Sequence, residues 1–147
     1  MNASPHGRVL GVDLGSRRVG LALSDPSRVI ASPHAVVSRG ASINDLIGAL
    51  ANTIAEWEVK LVVVGLPLSL TGRDGPAARS AREVVDAMQG KFGDEISVVL
   101  HDERLTTVTA QRSLREAGVR GRDQTAVVDK VAAAVMLQAY LDSTAMS

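Results

Sequence analysis

Apolar positions in this chain follow two rhythms, and the switches between them mark its elements. Arg8 to Leu14 and Arg18 to Ser24 read as strands, joined by the tight turn Gly15-Ser16-Arg17. A link that short allows only a hairpin. Val29 to Ser38 reads as a weaker third strand, and Pro33 within it points to a sheet edge. Ile43, Leu46, Ile47, Leu50, Ile54 and Trp57 then recur at helical spacing, with Ser42 placed as the N-cap. Lys60 to Gly65 carries the unbroken run Leu61-Val62-Val63-Val64, the mark of a central strand covered on both faces. A loop from Leu66 to Pro76 leads to a helix over Ala77–Lys91 and a strand over Ile96–His101. Further on, the pattern predicts a short helix over Thr107–Ala117, stopped by Gly118, then a basic loop at 119–123. An almost wholly apolar last helix is expected over Thr125–Leu141.

Three antiparallel strands followed by alternating helix and strand make a mixed α/β layout, a five-stranded sheet whose last two strands need helical crossovers. The 147 residues fit a single domain over 1–147, with loose tails expected at about 1–7 and 143–147.

Composition narrows the chemistry. Hydrophobic residues make up 46% of the chain but aromatic residues only 2%, so the core must be aliphatic. The scarcity of rings also argues against base recognition on stacking platforms. With no cysteine, thiolate metal sites and disulfides are excluded. His6, His34 and His101 lack ligand-like spacing. No apolar run reaches membrane-span length and residues 1–6 have no signal-peptide core, so the expectation is a cytoplasmic protein with no membrane partner. Net charge is zero, yet Arg104, Arg112, Arg115, Arg120 and Arg122 face a single acid, Glu116, over that stretch. This cluster is either a solvated surface or a phosphate-binding patch.

Three acids stand in apolar surroundings: Asp13 at the end of the first strand, Glu103 just after the fifth, and Asp129 inside the last helix. A buried carboxylate destabilises unless a cation or hydrogen bonds compensate it. Oxygen ligands alone suit a hard cation such as Mg2+ or Mn2+, which in turn suits phosphodiester hydrolysis. Each acid also has a plainer reading. Asp13 with Gly15 could simply shape the turn, and Asp129 could complement the helix dipole, worth about 0.3–1 kcal/mol. Small residues on the second strand beside Asp13, Gly20 and Ala22, would leave room for a metal and a phosphate to approach the backbone. Ala132 and Ala133 follow Asp129 at helical spacing and allow its helix to pack very close to the sheet. Adjacent acids at a strand end point to opposite faces. Glu103 is therefore the one expected to join Asp13, while Asp102 caps the next segment or meets solvent. His101 reads as a packing residue on the face of Val99, with water polarisation as the alternative.

Taken in order, Gly11-Val12-Asp13-Leu14-Gly15 with Val19-Gly20, Val64-Gly65-Leu66-Pro67 with Gly72, Asp102-Glu103-Arg104-Leu105-Thr106-Thr107, and Val128-Asp129 with Ala132-Ala133 and Leu137-Gln138 resemble the YqgF/RuvX family. These are small relatives of the RuvC Holliday junction resolvases, and the resemblance spans roughly residues 8 to 141. It implies a ribonuclease H-like fold and a metal-dependent endonuclease. Asp13, Glu103 and Asp129 would be both the catalytic acids and the ligands of a two-metal Mg2+ or Mn2+ site. The substrate it implies is the 5′ end of pre-16S ribosomal RNA, within the ribosomal precursor particle, or alternatively a four-way DNA junction. Arg17, Arg18, Arg73, Arg104 and Arg112 are candidates for contacts to the nucleic-acid backbone, and Thr106 and Thr107 for capping the next helix. Monomer and homodimer both stay open, since a junction resolvase needs two symmetric sites. Two readings compete with the nuclease. One is an ATP-binding module built on the Asp13–Gly15 hairpin, which 147 residues would supply with only one of two lobes. The other is a noncatalytic nucleic-acid-binding protein.

Overall fold

A computed structural model describes residues 7–69, 71–105 and 122–145. The expected helix over Thr107–Ala117, the basic loop from 119 to 121, Thr106, Thr107 and Arg112 lie outside the described residues. The elements run β1 (Arg8–Leu14), β2 (Arg18–Ser24), β3 (Ala31–Ser38), α1 (Ile43–Glu56), β4 (Val59–Leu66), α2 (Pro76–Phe92), β5 (Ser97–Asp102), a single 3-10 turn (Glu103–Leu105) and α3 (Arg122–Ala145).

The sheet order is β3-β2-β1-β4-β5. β1, β2 and β3 pair antiparallel, while β4 is parallel to both β1 and β5. This is the mixed five-stranded sheet the sequence predicts. The β1–β2 hairpin closes through a hydrogen bond from the Gly15 amide to the Arg18 carbonyl at 2.9 Å. β3 lies at an edge, and Pro33 sits where the β2–β3 register slips between Leu21 and Ala22. A proline donates nothing to the ladder, so an irregular edge strand is where it is tolerated.

Helices cover both faces. On one face α1 and α2 pack Leu46, Leu50, Val84 and Met88 against Leu10, Val12, Leu21 and Val64. α1 begins where the sequence places it, with the Ser42 hydroxyl accepting a hydrogen bond from the Asp45 amide at 3.2 Å. On the other face α3 lays Ala132, Ala133, Met136 and Leu137 over Val9, Ala22 and Val63. Alternation along each strand puts Val9, Gly11 and Asp13 on the α3 side. α3 runs longer than expected at both ends, from Arg122 instead of Thr125 and on to Ala145 instead of Leu141. Ser143 and Thr144, expected in a loose tail, carry the last turn, where their hydroxyls bond the carbonyl of Tyr140. No described helix is long and apolar enough to cross a membrane.

Candidate active site

Asp13 ends β1 with 4% of its surface exposed, and a glycine lies beside it on each neighbouring strand. Gly20 is its direct partner on β2. On the other side Val12 pairs with Val64, so Gly65 of β4 comes next to Asp13. Residues opposite one another in a sheet share a face. Both glycines therefore open toward α3, on the same side as the Asp13 carboxylate.

Each opening is filled by one of the other acids. A Cβ at Gly20 would collide with the carbonyl oxygen of Asp129 and lie 2.7 Å from its carbonyl carbon. A Cβ at Gly65 would lie 2.7 Å from the Glu103 carboxylate oxygen Oε1. Gly11 supports the same approach, since a Cβ there would come within 2.9 Å of Leu137 Cβ. The room beside Asp13 that the sequence suggests for metal and phosphate is thus taken, at Gly20, by the backbone of α3. Small residues on facing elements favour that close approach, and the helix brings its own carboxylate with it.

Asp129 and Glu103 are 7% and 2% exposed. Asp129 lies two turns inside α3, because the helix starts at Arg122. A dipole interaction fades beyond the first turn, so that plainer reading of Asp129 loses its footing. Its Oδ2 lies 3.2 Å from Nε of Arg18. Arg18 shares the β2 face of Gly20, and the structure turns it onto the third carboxylate of the site.

Burial pushes the Glu103 carboxyl up to about 7, and the nearby charge of Asp102 adds to the shift. Near neutral pH this group therefore holds a proton for much of the time unless a cation draws it off. Asp102 faces the other way. Its Oδ1 accepts the Arg104 amide at 2.9 Å, and its Oδ2 accepts from the Arg104 guanidinium at 2.6 Å, so it caps the 3-10 turn. The Arg104 guanidinium holds the Asp102 carboxyl below its usual range. His101 packs edge-on against Tyr140 of α3, with ring centroids 5.9 Å apart. Burial lowers its pKa against the opposing pull of Asp102. It is the packing residue of the Val99 face that the sequence suggests.

The remaining candidates divide. Arg17 and Arg73 are exposed at the hairpin tip and in the β4–α2 loop. That loop is braced by its own bonds, with the Gly72 amide donating to the Ser69 carbonyl at 2.8 Å and the Arg73 amide to the Ser69 hydroxyl at 3.1 Å. Gly72 has φ +84, and its α-carbon faces the Arg104 guanidinium, which a Cβ there would approach to 3.4 Å. Arg104 thus bridges Asp102 and the loop.

The donor set is all oxygen and buried, which fits Mg2+ or Mn2+. As the side chains stand, no three acidic or histidine groups among the described residues are close enough to hold one ion. Asp129 being directed at Arg18 is one visible reason. Sequence reasoning missed two parts of this arrangement: Gly65 as the socket for Glu103, and the Arg18–Asp129 pair. A glycine closing a run of valines signals a close approach at Gly65, but not which residue makes it. The alternation Arg18, Gly20 along β2 puts Arg18 on the face of Asp13, but does not name Asp129 as its partner.

A profile of the RuvX family, described as Holliday junction resolvase, matches residues 7–143. A protein of Mycobacterium sp. (strain KMS) named "Putative pre-16S rRNA nuclease" is 49% identical over 136 residues, covering 92% of this chain and 80% of that protein. The protein of the same name from Mycobacterium leprae (strain TN) is 48% identical and covers 92% of this chain and 73% of its own length. Among solved structures, Thermus thermophilus RuvC in complex with a Holliday junction substrate superposes with a TM-score of 0.60 at 13% identity, over 95% of this chain and 96% of that one. The yeast mitochondrial Holliday junction resolvase does so with a TM-score of 0.57 at 13% identity, over 98% and 81%. At that identity the likeness establishes the fold, a RuvC-like ribonuclease H fold.

Proposed function

This chain belongs to the RuvX family, and from that premise we propose that it is a metal-dependent endonuclease acting on structured nucleic acid, with the 5′ end of pre-16S ribosomal RNA as its substrate. The observation that supports the reading is that two glycines beside Asp13 each receive part of another acid, Gly20 the backbone of Asp129 and Gly65 the carboxylate of Glu103. Three buried carboxylates are a costly arrangement for a fold and a useful one for a divalent cation. The name shared by the mycobacterial relatives supplies the substrate.

Asp13, Glu103 and Asp129 would hold the ions. Bound Mg2+ or Mn2+ supplies an activated water and charge stabilisation at the leaving oxygen. The protein orients the site by rigid means, since Asp13 is fixed in the sheet and Asp129 by the contact of its backbone with Gly20. Arg17, Arg73 and Arg104, all exposed, would meet backbone phosphates. Arg112, outside the described residues, stays a candidate from the sequence.

The description of the family profile favours a second reading, resolution of four-way DNA junctions. One assay separates them. Wild type and Asp13→Asn are compared with Mn2+ or Mg2+ on a precursor ribosomal RNA 5′ leader, a four-way DNA junction and linear duplexes. Cleavage of the RNA by wild type alone is expected. Symmetric cuts in the junction alone, by a protein that light scattering shows to be a dimer, would replace that reading with the resolvase. Equal activity in Asp13→Asn would remove the site from consideration.

A further inference from the structure

The ion pair between Arg18 and Asp129 joins groups of unequal exposure. The Arg18 side chain is 36% exposed and the Asp129 side chain 10%. On separation Arg18 can move into water at little cost, whereas Asp129 stays in a nearly dry place and needs another cation. The backbone at Asp129 has no freedom to follow, because its carbonyl rests on Gly20. A rotation of the Asp129 side chain is the movement that leaves this contact in place. Asp13 lies across from that glycine on β1, and Arg18 lies two residues along β2 toward the hairpin tip. Asp129 thus meets Arg18 with its carboxylate while its backbone rests on the glycine opposite Asp13.

We propose that Arg18 is a positioning residue that occupies Asp129 in the metal-free protein, and that it is displaced when a divalent ion claims the carboxylate. The inference rests on the metal-dependent reading above. Arg18 competes with the ion for Asp129 and so weakens metal binding in the absence of nucleic acid. Once displaced, its guanidinium stands at the mouth of the site beside exposed Arg17, where a phosphate can take the place of the lost carboxylate. Loading with metal and binding of the nucleic-acid backbone then favour one another, because both favour the same displaced position of Arg18 and linkage is reciprocal.

The test is Mn2+ binding to the free protein by titration calorimetry, with no nucleic acid present. Arg18→Gln is expected to bind Mn2+ about fivefold more tightly than wild type, the scale of removing one partly exposed ion pair. Lys130→Gln removes a positive charge next to Asp129 in sequence and is expected to stay within about twofold of wild type. Unchanged or weaker binding in Arg18→Gln overturns the proposal. So does an equal gain in Lys130→Gln, which would make the effect one of overall charge. Wild-type protein supplies a second readout that no folding defect can confuse. The Nε–H resonance of Arg18, assigned by its loss in Arg18→Lys, should shift as Mg2+ saturates the site. A resonance that stays in place through saturation overturns the exchange. If wild type and Arg18→Gln both fail to bind Mn2+, the metal-dependent reading falls and the proposal with it. Binding by wild type that Asp13→Asn abolishes keeps that reading standing, whatever Arg18 does.

Discussion

The two faces of the sheet are packed by different means. Under α1 and α2 the contacts are branched aliphatics and Met88, side chain against side chain. Under α3 the strands offer Gly11, Gly20 and Ala22 beside Val9 and Val63, and the helix answers with Ala132 and Ala133 as well as Met136 and Leu137. The first face holds the fold through volume. The second gives up volume so that backbone and carboxylate can come close, and it is the face on which all three acids gather. Stability and the candidate chemistry are thus assigned to opposite sides of one sheet.

Substitutions on the two sides should separate those roles. Asp13→Asn should have the largest effect on cleavage, abolishing it while the melting temperature holds or rises, because the substitution removes a buried negative charge. Next comes Gly20→Ala. Its methyl would meet the Asp129 backbone, which cannot swing aside as a side chain would. We expect a loss of about 3 kcal/mol in denaturant unfolding together with loss of cleavage. Leu50→Ala on the far face should lose a similar amount, about 2–5 kcal/mol, yet keep cleavage at a temperature where it is folded. Cleavage lost from folded Leu50→Ala would break the division between the faces.

Gly65→Ala should act more gently on the fold, since its methyl meets the carboxylate end of Glu103. Its melting temperature should stay close to wild type while Mn2+ binding falls. Glu103→Gln should reveal a pH-dependent gain. The folded-state pKa of Glu103 is raised from 4.5 to about 7, so the native state keeps a proton that the unfolded chain has released. Stability is therefore lost as pH rises through that window and stays level above it. In EDTA, Glu103→Gln should be more stable than wild type above pH 7, by about 3 kcal/mol at most, with no difference near pH 4. A gain that is the same at both ends would place its cause elsewhere. The smallest effect should come from Ser42→Ala, which removes the α1 cap on the aliphatic side. It should lower stability by about 1 kcal/mol and leave cleavage alone.

Much of this was legible along the chain, because its signals are local. The valine run of β4, the Ser42 cap and Pro33 in β3 are each decided by neighbouring residues, and the structure places them as the sequence predicts. Asp102 as a cap and His101 as a packing residue follow from alternation at a strand end. The pairings between distant segments were not legible. Nothing near Gly65 says that Glu103 will fill its opening, because the two come together only through the β4–β5 register. The Arg18–Asp129 pair depends on where α3 docks along β2. The ends of α3 also escaped, since its polar first turns and its final Ser143-Thr144 lack the apolar rhythm that marks the middle.

The docking of α3 has one more consequence, for the order of events during synthesis. Asp13 enters the chain early, but Asp129 reaches it only from a helix that packs chiefly across β2, β3 and β1. That contact spans most of the sequence, and long-range contacts of this kind form late in folding. A partly made chain can therefore build its sheet and the α1–α2 side before it owns a complete set of acids. If Asp13, Glu103 and Asp129 hold the ions as proposed, cleavage would begin only after α3 has docked.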